Sequence, residues 1–191
     1  MSPAHAKTSD EAILDAAASL LESGGLDALT MQEVARVVGV RAPSLYKRVR
    51  DRAALIRAVQ EDAAAELAVE LDRATTGADA RRDIVSMLNA FRAFAHRRAG
   101  VYGLLFAALP RDVQISPEAN RAAIEPLFRV LTPLTGGDAE RTLEAARLLV
   151  AFAHGFVSME LAGAFRLGGD VDAAWRAGVA TIVDAVAGVR H

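Results

Sequence analysis

Apolar residues recur every three to four positions along most of the chain, and Gly, Pro and short polar stretches divide that pattern into about nine segments. Ile13, Ala17, Leu20 and Leu21 share one helical face, opened by a Thr8 to Glu11 capping box and stopped at Gly24-Gly25. A second box, Thr30 to Glu33, introduces Met31, Val34, Ala35 and Val38 at i, i+3, i+4 and i+7. Gly39 ends it, so this helix is only about two turns long. Pro43 fits the first turn of a helix but not its interior, which starts a third helix near Ala42 and carries it to about Val49. Asp51 then caps a longer fourth helix, with Leu55, Ile56, Val59, Ala63, Leu67 and Leu71 on one side.

Beyond Ala78 the pattern predicts helices over 81–98, 101–109, 117–134, 139–165 and 171–189. Gly100, Ser116-Pro117, Gly136-Gly137-Asp138 and Gly168-Gly169-Asp170 separate them. No stretch alternates convincingly as a strand, and no internal repeat is present, so the fold class is all-α. Composition agrees: 52% of residues are hydrophobic but only 5% aromatic, so Ala, Leu and Val supply the apolar surface. The absence of Cys excludes disulfides and thiolate metal sites and fits a reducing cytoplasm. The first residues lack the apolar core of a secretory signal. The most apolar run, Leu148 to Met159, is shorter than the roughly 20 residues that cross a bilayer, so no membrane association is expected.

Charge changes the picture in one place. Between Thr30 and Leu55 stand Arg36, Arg41, Lys47, Arg48, Arg50 and Arg52 against only Glu33 and Asp51, in a chain whose net charge is −2. A basic run is often just a solvated helix face. Here it coincides with two short helices joined by a Gly-containing turn, the arrangement of a helix-turn-helix whose second helix enters a DNA major groove. Met31, Val34, Ala35, Val38, Val40, Leu45 and Val49 supply its apolar inner side. Ala42, Pro43 and Ser44 form a slim tip that lets backbone approach base edges, and Lys47 and Arg48 are the donors to bases. Arg52, with Thr30 and Gln32 at the start of the second helix, is placed for phosphate. Tyr46 suits either a phosphate contact or a half-buried staple between helices.

Thr30, Val34, Ala35, Gly39, Val40, Leu45, Tyr46, Val49, Asp51, Arg52 and Leu55 together resemble the N-terminal signature of the tetracycline-repressor (TetR) family of bacterial transcription regulators. The resemblance covers the first 55 residues closely and the helical remainder loosely. It implies a DNA-binding domain over 1–55 and an effector-binding and dimerisation domain over 56–191. It also implies that Thr30, Gln32, Arg41, Ala42, Pro43, Ser44, Tyr46, Lys47, Arg48 and Arg52 contact a palindromic operator. Arg41, Arg48 and Val49 depart from the residues common in the family, which bears on the operator sequence.

In the larger part, Leu148 to Phe165 is apolar almost all round, as if one side faced a core and the other a second subunit. The last helix shows the stripe Val171, Trp175, Gly178, Ile182, Ala185 and Val189, flanked by alanines that permit close approach. A homodimer through these two helices would hold two reading helices one DNA turn apart, and the family resemblance implies the same interface. Phe91, Phe94, Tyr102, Leu105, Phe106, Phe128, Phe152, His154 and Met159 are the candidates to line a pocket for a small hydrophobic effector, although each is individually compatible with plain core. The segment around His154-Gly155 resembles the His-Gly segment of the WHG type of C-terminal domain, with Val150 where that type has Trp.

His5, His96, His154 and His191 lack ligand-like spacing, and neither Gly pair has the context of a phosphate loop, so no metal or cofactor is expected. Two other functions are compatible with a helical chain. One is an enzyme using His154 with Glu160 as acid and base; the other is an interaction module whose basic face binds an acidic protein. The first lacks a nucleophile constellation.

Overall fold

The computed structural model describes residues 9–188, and among them the chain forms nine helices and no strand. They are α1 (Asp10–Ala28), α2 (Met31–Val38), α3 (Ala42–Tyr46), α4 (Arg52–Arg73), α5 (Ala80–Arg97), α6 (Ala99–Leu105), α7 (Pro117–Leu134), α8 (Ala139–Leu161) and α9 (Val171–Gly188).

Local caps set most boundaries. Thr8 lies outside the described residues; the observed cap of α1 is Ser9, whose side chain accepts from the Ala12 amide at 3.1 Å. α1 is broken where expected, since Gly25 sits at φ 64°, ψ −162°. The Thr30 hydroxyl accepts from the Glu33 amide at 3.2 Å, and Asp51 accepts from the Ala54 amide at 2.8 Å. Gly39, at φ 77°, closes α2: its own amide donates to Arg36 O at 3.2 Å and the Val40 amide to Ala35 O at 2.9 Å. A side chain at this φ costs about 1–2 kcal/mol. Gly39→Ala is therefore expected to lower Tm by about 2–8 °C in a thermal unfolding scan. An unchanged Tm would mean that the turn does not need a left-handed residue.

Three helices differ in their boundaries from the sequence reading, α6 also at its far end, Leu105 in place of 109. α3 ends at Tyr46 instead of near Val49, because the chain tightens: the amides of both Arg48 and Val49 turn back to Leu45 O, at 2.9 and 3.0 Å. α8 stops at Leu161 because Gly163, at φ 61°, donates to Glu160 O while Ala164 donates to Met159 O, both at 2.9 Å. α6 begins before Gly100, so that glycine is a close-packing residue of its first turn and not a separator.

The chain divides into two compact units: residues 1–66 with 98–121, and 67–97 with 122–191. This division by compactness cuts the chain differently from the domain boundary expected at 55/56. In the first unit α1 packs against α2 and α6, and Ile13, Ala17, Leu21, Val34, Leu45 and Leu55 are essentially buried. In the second, α5, α8 and α9 pack together around Phe94, Leu149, Val157 and Trp175. The buried stripe of α9 is Trp175, Val179, Val183 and Val186, with Ala185 exposed, one step out of phase with the expected stripe. Val189 lies outside the described residues. Gly178 nonetheless meets α8 closely: the Phe152 ring lies 2.6 Å from where a Cβ on Gly178 would stand.

Candidate nucleic-acid interface

α3 is too short to hold itself in place and depends on one anchor, Leu45, which is fully buried in the core of the first unit. Burying such a side chain contributes roughly 1.5–3 kcal/mol. With Leu45 inward, Pro43, Ser44, Tyr46, Lys47 and Arg48 are all exposed, Arg41 precedes them in extended conformation and is also exposed, and Ala42 is half-buried. Tyr46 is 52% exposed, which favours the wet contact over the staple. Gln32 is exposed at the start of α2, and Thr30 is half-buried, its oxygen engaged in the cap and its hydroxyl hydrogen still able to donate.

The basic segment resolves into engaged and unengaged charges. Arg36 pairs with Glu33 at 2.8 Å, and Arg50 with Asp51 at 2.7 Å. The Ala54 amide, with Arg50 beside it, holds the Asp51 carboxyl below its usual range. Arg48 reaches Asp10 at the start of α1, 3.3 Å away, in an exposed pair worth under about 1 kcal/mol. Arg41 and Lys47 have no ion-pair partner among the described residues, so they carry the uncompensated charge of this face.

Arg52 differs from the expected free phosphate donor. Its Nε donates to Leu29 O at 2.6 Å and its Nη2 to Leu26 O at 2.7 Å. Two of its five N–H groups thus satisfy the carbonyls at the end of α1, and the rest remain on an exposed side chain. No sequence signal could have shown this, because the partners lie more than twenty residues away and are backbone atoms.

The candidate effector residues fall in both units. Tyr102, Leu105 and Phe106 belong to the first, where Tyr102 is buried and its ring lies 5.2 Å from that of the partly exposed Phe106. Phe91 and Phe94 are buried core of the second unit, Phe128 and Phe152 are half-buried, and Met159 is 48% exposed. His154 is half-buried, 3.3 Å from the Ser158 hydroxyl through Nδ1, and burial pushes its pKa down. What the structure does assemble is an aromatic cluster the sequence reading did not group: Phe152 stacks on Trp175 at 5.5 Å, and Phe156 contacts Trp175 and Phe165 at 5.2 and 4.8 Å. The i, i+4 spacing of Phe152 and Phe156 was its one local signal. A separate open groove of about 480 Å³ has Arg81, Val85, Ser86, Val183 and Asp184 in its walls and none of the candidate residues.

Glu160 is occupied. It accepts from Arg92 through both carboxylate oxygens, Nε to Oε2 at 2.9 Å, and His96 Nε2 lies 2.9 Å from Oε2. Arg92 also reaches Asp172 at 2.6 Å and stands over the Trp175 ring. These partners, Arg92 first, hold the Glu160 carboxyl down at about 2. A carboxylate so held is ionised and a weak base at neutral pH. Among the described residues no group of three or more His, Asp or Glu gathers as a metal site, and no helix is long and apolar enough to cross a membrane.

Residues 13–59 match the family described as bacterial regulatory proteins, tetR family, and residues 84–182 match the tetracyclin repressor-like C-terminal domain. An uncharacterized HTH-type transcriptional regulator of Mycobacterium tuberculosis is 33% identical over 161 residues, covering 83% of this chain and 72% of that protein. The tetracycline repressor protein class D of Escherichia coli is 37% identical over 54 residues, 28% of this chain and 25% of that one. Among solved structures, a protein of unknown function from Rhodococcus sp. RHA1 superposes with a TM-score of 0.75 at 27% identity, covering 92% of this chain and 93% of that one. A TetR variant from Acinetobacter baumannii AYE, solved in complex with minocycline, shares the fold with a TM-score of 0.73 at 21% identity, over 96% and 98% of the two chains.

Proposed function

The chain belongs to the TetR family of bacterial regulatory proteins and is a DNA-binding transcription regulator; from that premise we propose that it is a cytoplasmic, homodimeric repressor released from a palindromic operator by a small hydrophobic effector. The observation that carries the DNA-reading part is the anchored, outward-facing α3, with Arg41 and Lys47 on an exposed face and without an ion-pair partner among the described residues. The outer side of α8 supports the dimer: Leu148 is 51% and Met159 48% exposed, with Ala151 and Gly155 between them. Two subunits are what lets short reading helices address both halves of one site. An effector lodged among the aromatic residues would act by favouring one arrangement of α4 over another, changing the separation of the two reading helices by the few ångströms that spoil register.

The DNA-reading assignment is tested by mobility shifts on a duplex enriched from a randomised library and on scrambled DNA, at several salt concentrations. Lys47→Ala is expected to cost about 1–3 kcal/mol on the enriched duplex and much less on scrambled DNA. Arg52→Ala is expected to weaken both alike, to reduce the salt slope by about one phosphate, and also to lower Tm through its lost carbonyl bonds. Equal losses on both duplexes for Lys47→Ala would overturn its role as a base reader.

A further inference from the structure

The open groove of about 480 Å³ between the first turns of α5 and the later turns of α9 lies wholly inside the second unit, and its volume is within the about 300–1,000 Å³ of small-molecule sites. Helical spacing explains its walls. Arg81 and Val85 stand four apart on α5, and Ala180 and Asp184 four apart on α9, so each helix sets one charged and one apolar residue in a row. Val183 is buried and Val85 half-buried, which gives the groove an apolar lining beneath a charged rim.

The rim has a definite order of charge. Arg81 donates through Nη1 to Oδ1 of Asp184 at 2.6 Å. That bond leaves the Nε–Nη2 edge of Arg81, the edge that grips a carboxylate with two parallel bonds, without a partner among the described residues. It likewise leaves Oδ2 of Asp184 to accept. Both side chains are at least half exposed, so a small ligand can reach them. Arg82, also in the wall and 87% exposed, adds a second guanidinium, 3.5 Å from Asp79.

A donor edge and an acceptor oxygen side by side, above apolar side chains, match one kind of small molecule. An α-amino acid carries its ammonium and carboxylate on one carbon, so both charges meet opposite partners only where such partners adjoin. An acid lacking the ammonium would set its charge beside Asp184, and an amine lacking the carboxylate would face two guanidiniums.

We propose that this groove is a binding site for a free apolar α-amino acid: Arg81 takes the carboxylate, Asp184 the ammonium, and Val85, Ala180 and Val183 the side chain. The site is separate from the effector position proposed above, since none of the candidate effector residues stands in its walls. It does not depend on DNA binding.

The test titrates the full chain with L-leucine, 4-methylpentanoate and 3-methylbutylamine, which share one apolar body and differ in which charges they keep, following backbone amide NMR shifts. Millimolar leucine is expected to shift amides within residues 81–86 and 180–184, and to bind about fivefold more tightly than either analogue, the scale of one exposed ion pair. Arg81→Gln should erase the advantage over the amine, and Asp184→Asn the advantage over the acid, each lowering leucine affinity by about fivefold. The acid binding as tightly as leucine would overturn the amino-acid assignment, as would the amine doing so. Leucine shifts absent from these two segments would overturn the site itself. These wild-type comparisons decide the matter even if a variant fails to fold.

Discussion

Gly155→Arg is expected to sediment as a single chain and to bind the enriched duplex at least about 100-fold more weakly than the wild type, the scale of avidity lost when two sites become one. Gly155 lies on the exposed side of α8 between Leu148 and Met159, and nothing in its own chain would meet a Cβ there within 4 Å. Within one chain the substitution is favourable, because glycine in a helix interior costs about 0.8–1 kcal/mol against residues with good helical propensity. Any loss of association must therefore come from a surface outside the chain. The physical reason is close approach: in the proposed dimer a flat strip of Ala151 and Gly155 would let a second α8 come near enough to cover Leu148 and Met159, and a guanidinium placed there would have no partner and would have to stay in water. Sedimentation velocity with circular dichroism as a control separates the outcomes. A variant that remains dimeric with wild-type DNA affinity would show that α8 is not the interface.

Glu160→Gln is expected to destabilise the second unit by about 2 kcal/mol at neutral pH, between the small worth of an exposed ion pair and the larger cost of leaving a buried charge alone. Arg92 and Glu160 are each less than one-fifth exposed, and the substitution leaves Arg92 with Asp172 as its remaining charged partner among the described residues, above the Trp175 ring. The pH dependence has a definite sign. The Glu160 carboxyl titrates at about 2 in the folded chain, below its ordinary 4.5, so the folded state binds the proton less readily than the unfolded state. Its contribution is fully present above about pH 4.5 and is lost as pH falls towards 2. Wild type and Glu160→Gln should thus differ by about 4–8 °C in Tm at pH 7 and converge as the solution approaches pH 2. A gap that stays constant from pH 7 to pH 2 would show that the carboxylate's charge is not what stabilises the cluster.

Features decided within about five residues were legible along the chain. Thr30 and Asp51 cap the helices they precede, Pro43 sits in the first turn of α3, and Gly39 closes α2 in the left-handed conformation. The face of α3 was legible for the same reason, since Leu45 is the one large apolar residue in it and sets which side turns outward. The end of α8 belongs to this class too, but the apolar run that continues past Gly163 masks a single glycine as a stop signal. The effector residues were not legible, because aromatic composition says nothing about which rings meet. Tyr102 and Phe106 pair in one unit, while Phe152 and Phe156 gather on Trp175 in the other.

By itself, then, the amino-acid order determined the all-helical class, the reading module and the charge that module presents to solvent, because each follows from near-neighbour sterics, capping and periodicity. Tertiary structure alone decided which arginines are spent on carbonyls or carboxylates and which stay available, that α6 joins the reading unit, and that Glu160 is bound to Arg92. Those outcomes depend on which helix faces come together, and a hydrogen bond between groups 23 or 68 positions apart leaves no periodic trace between them.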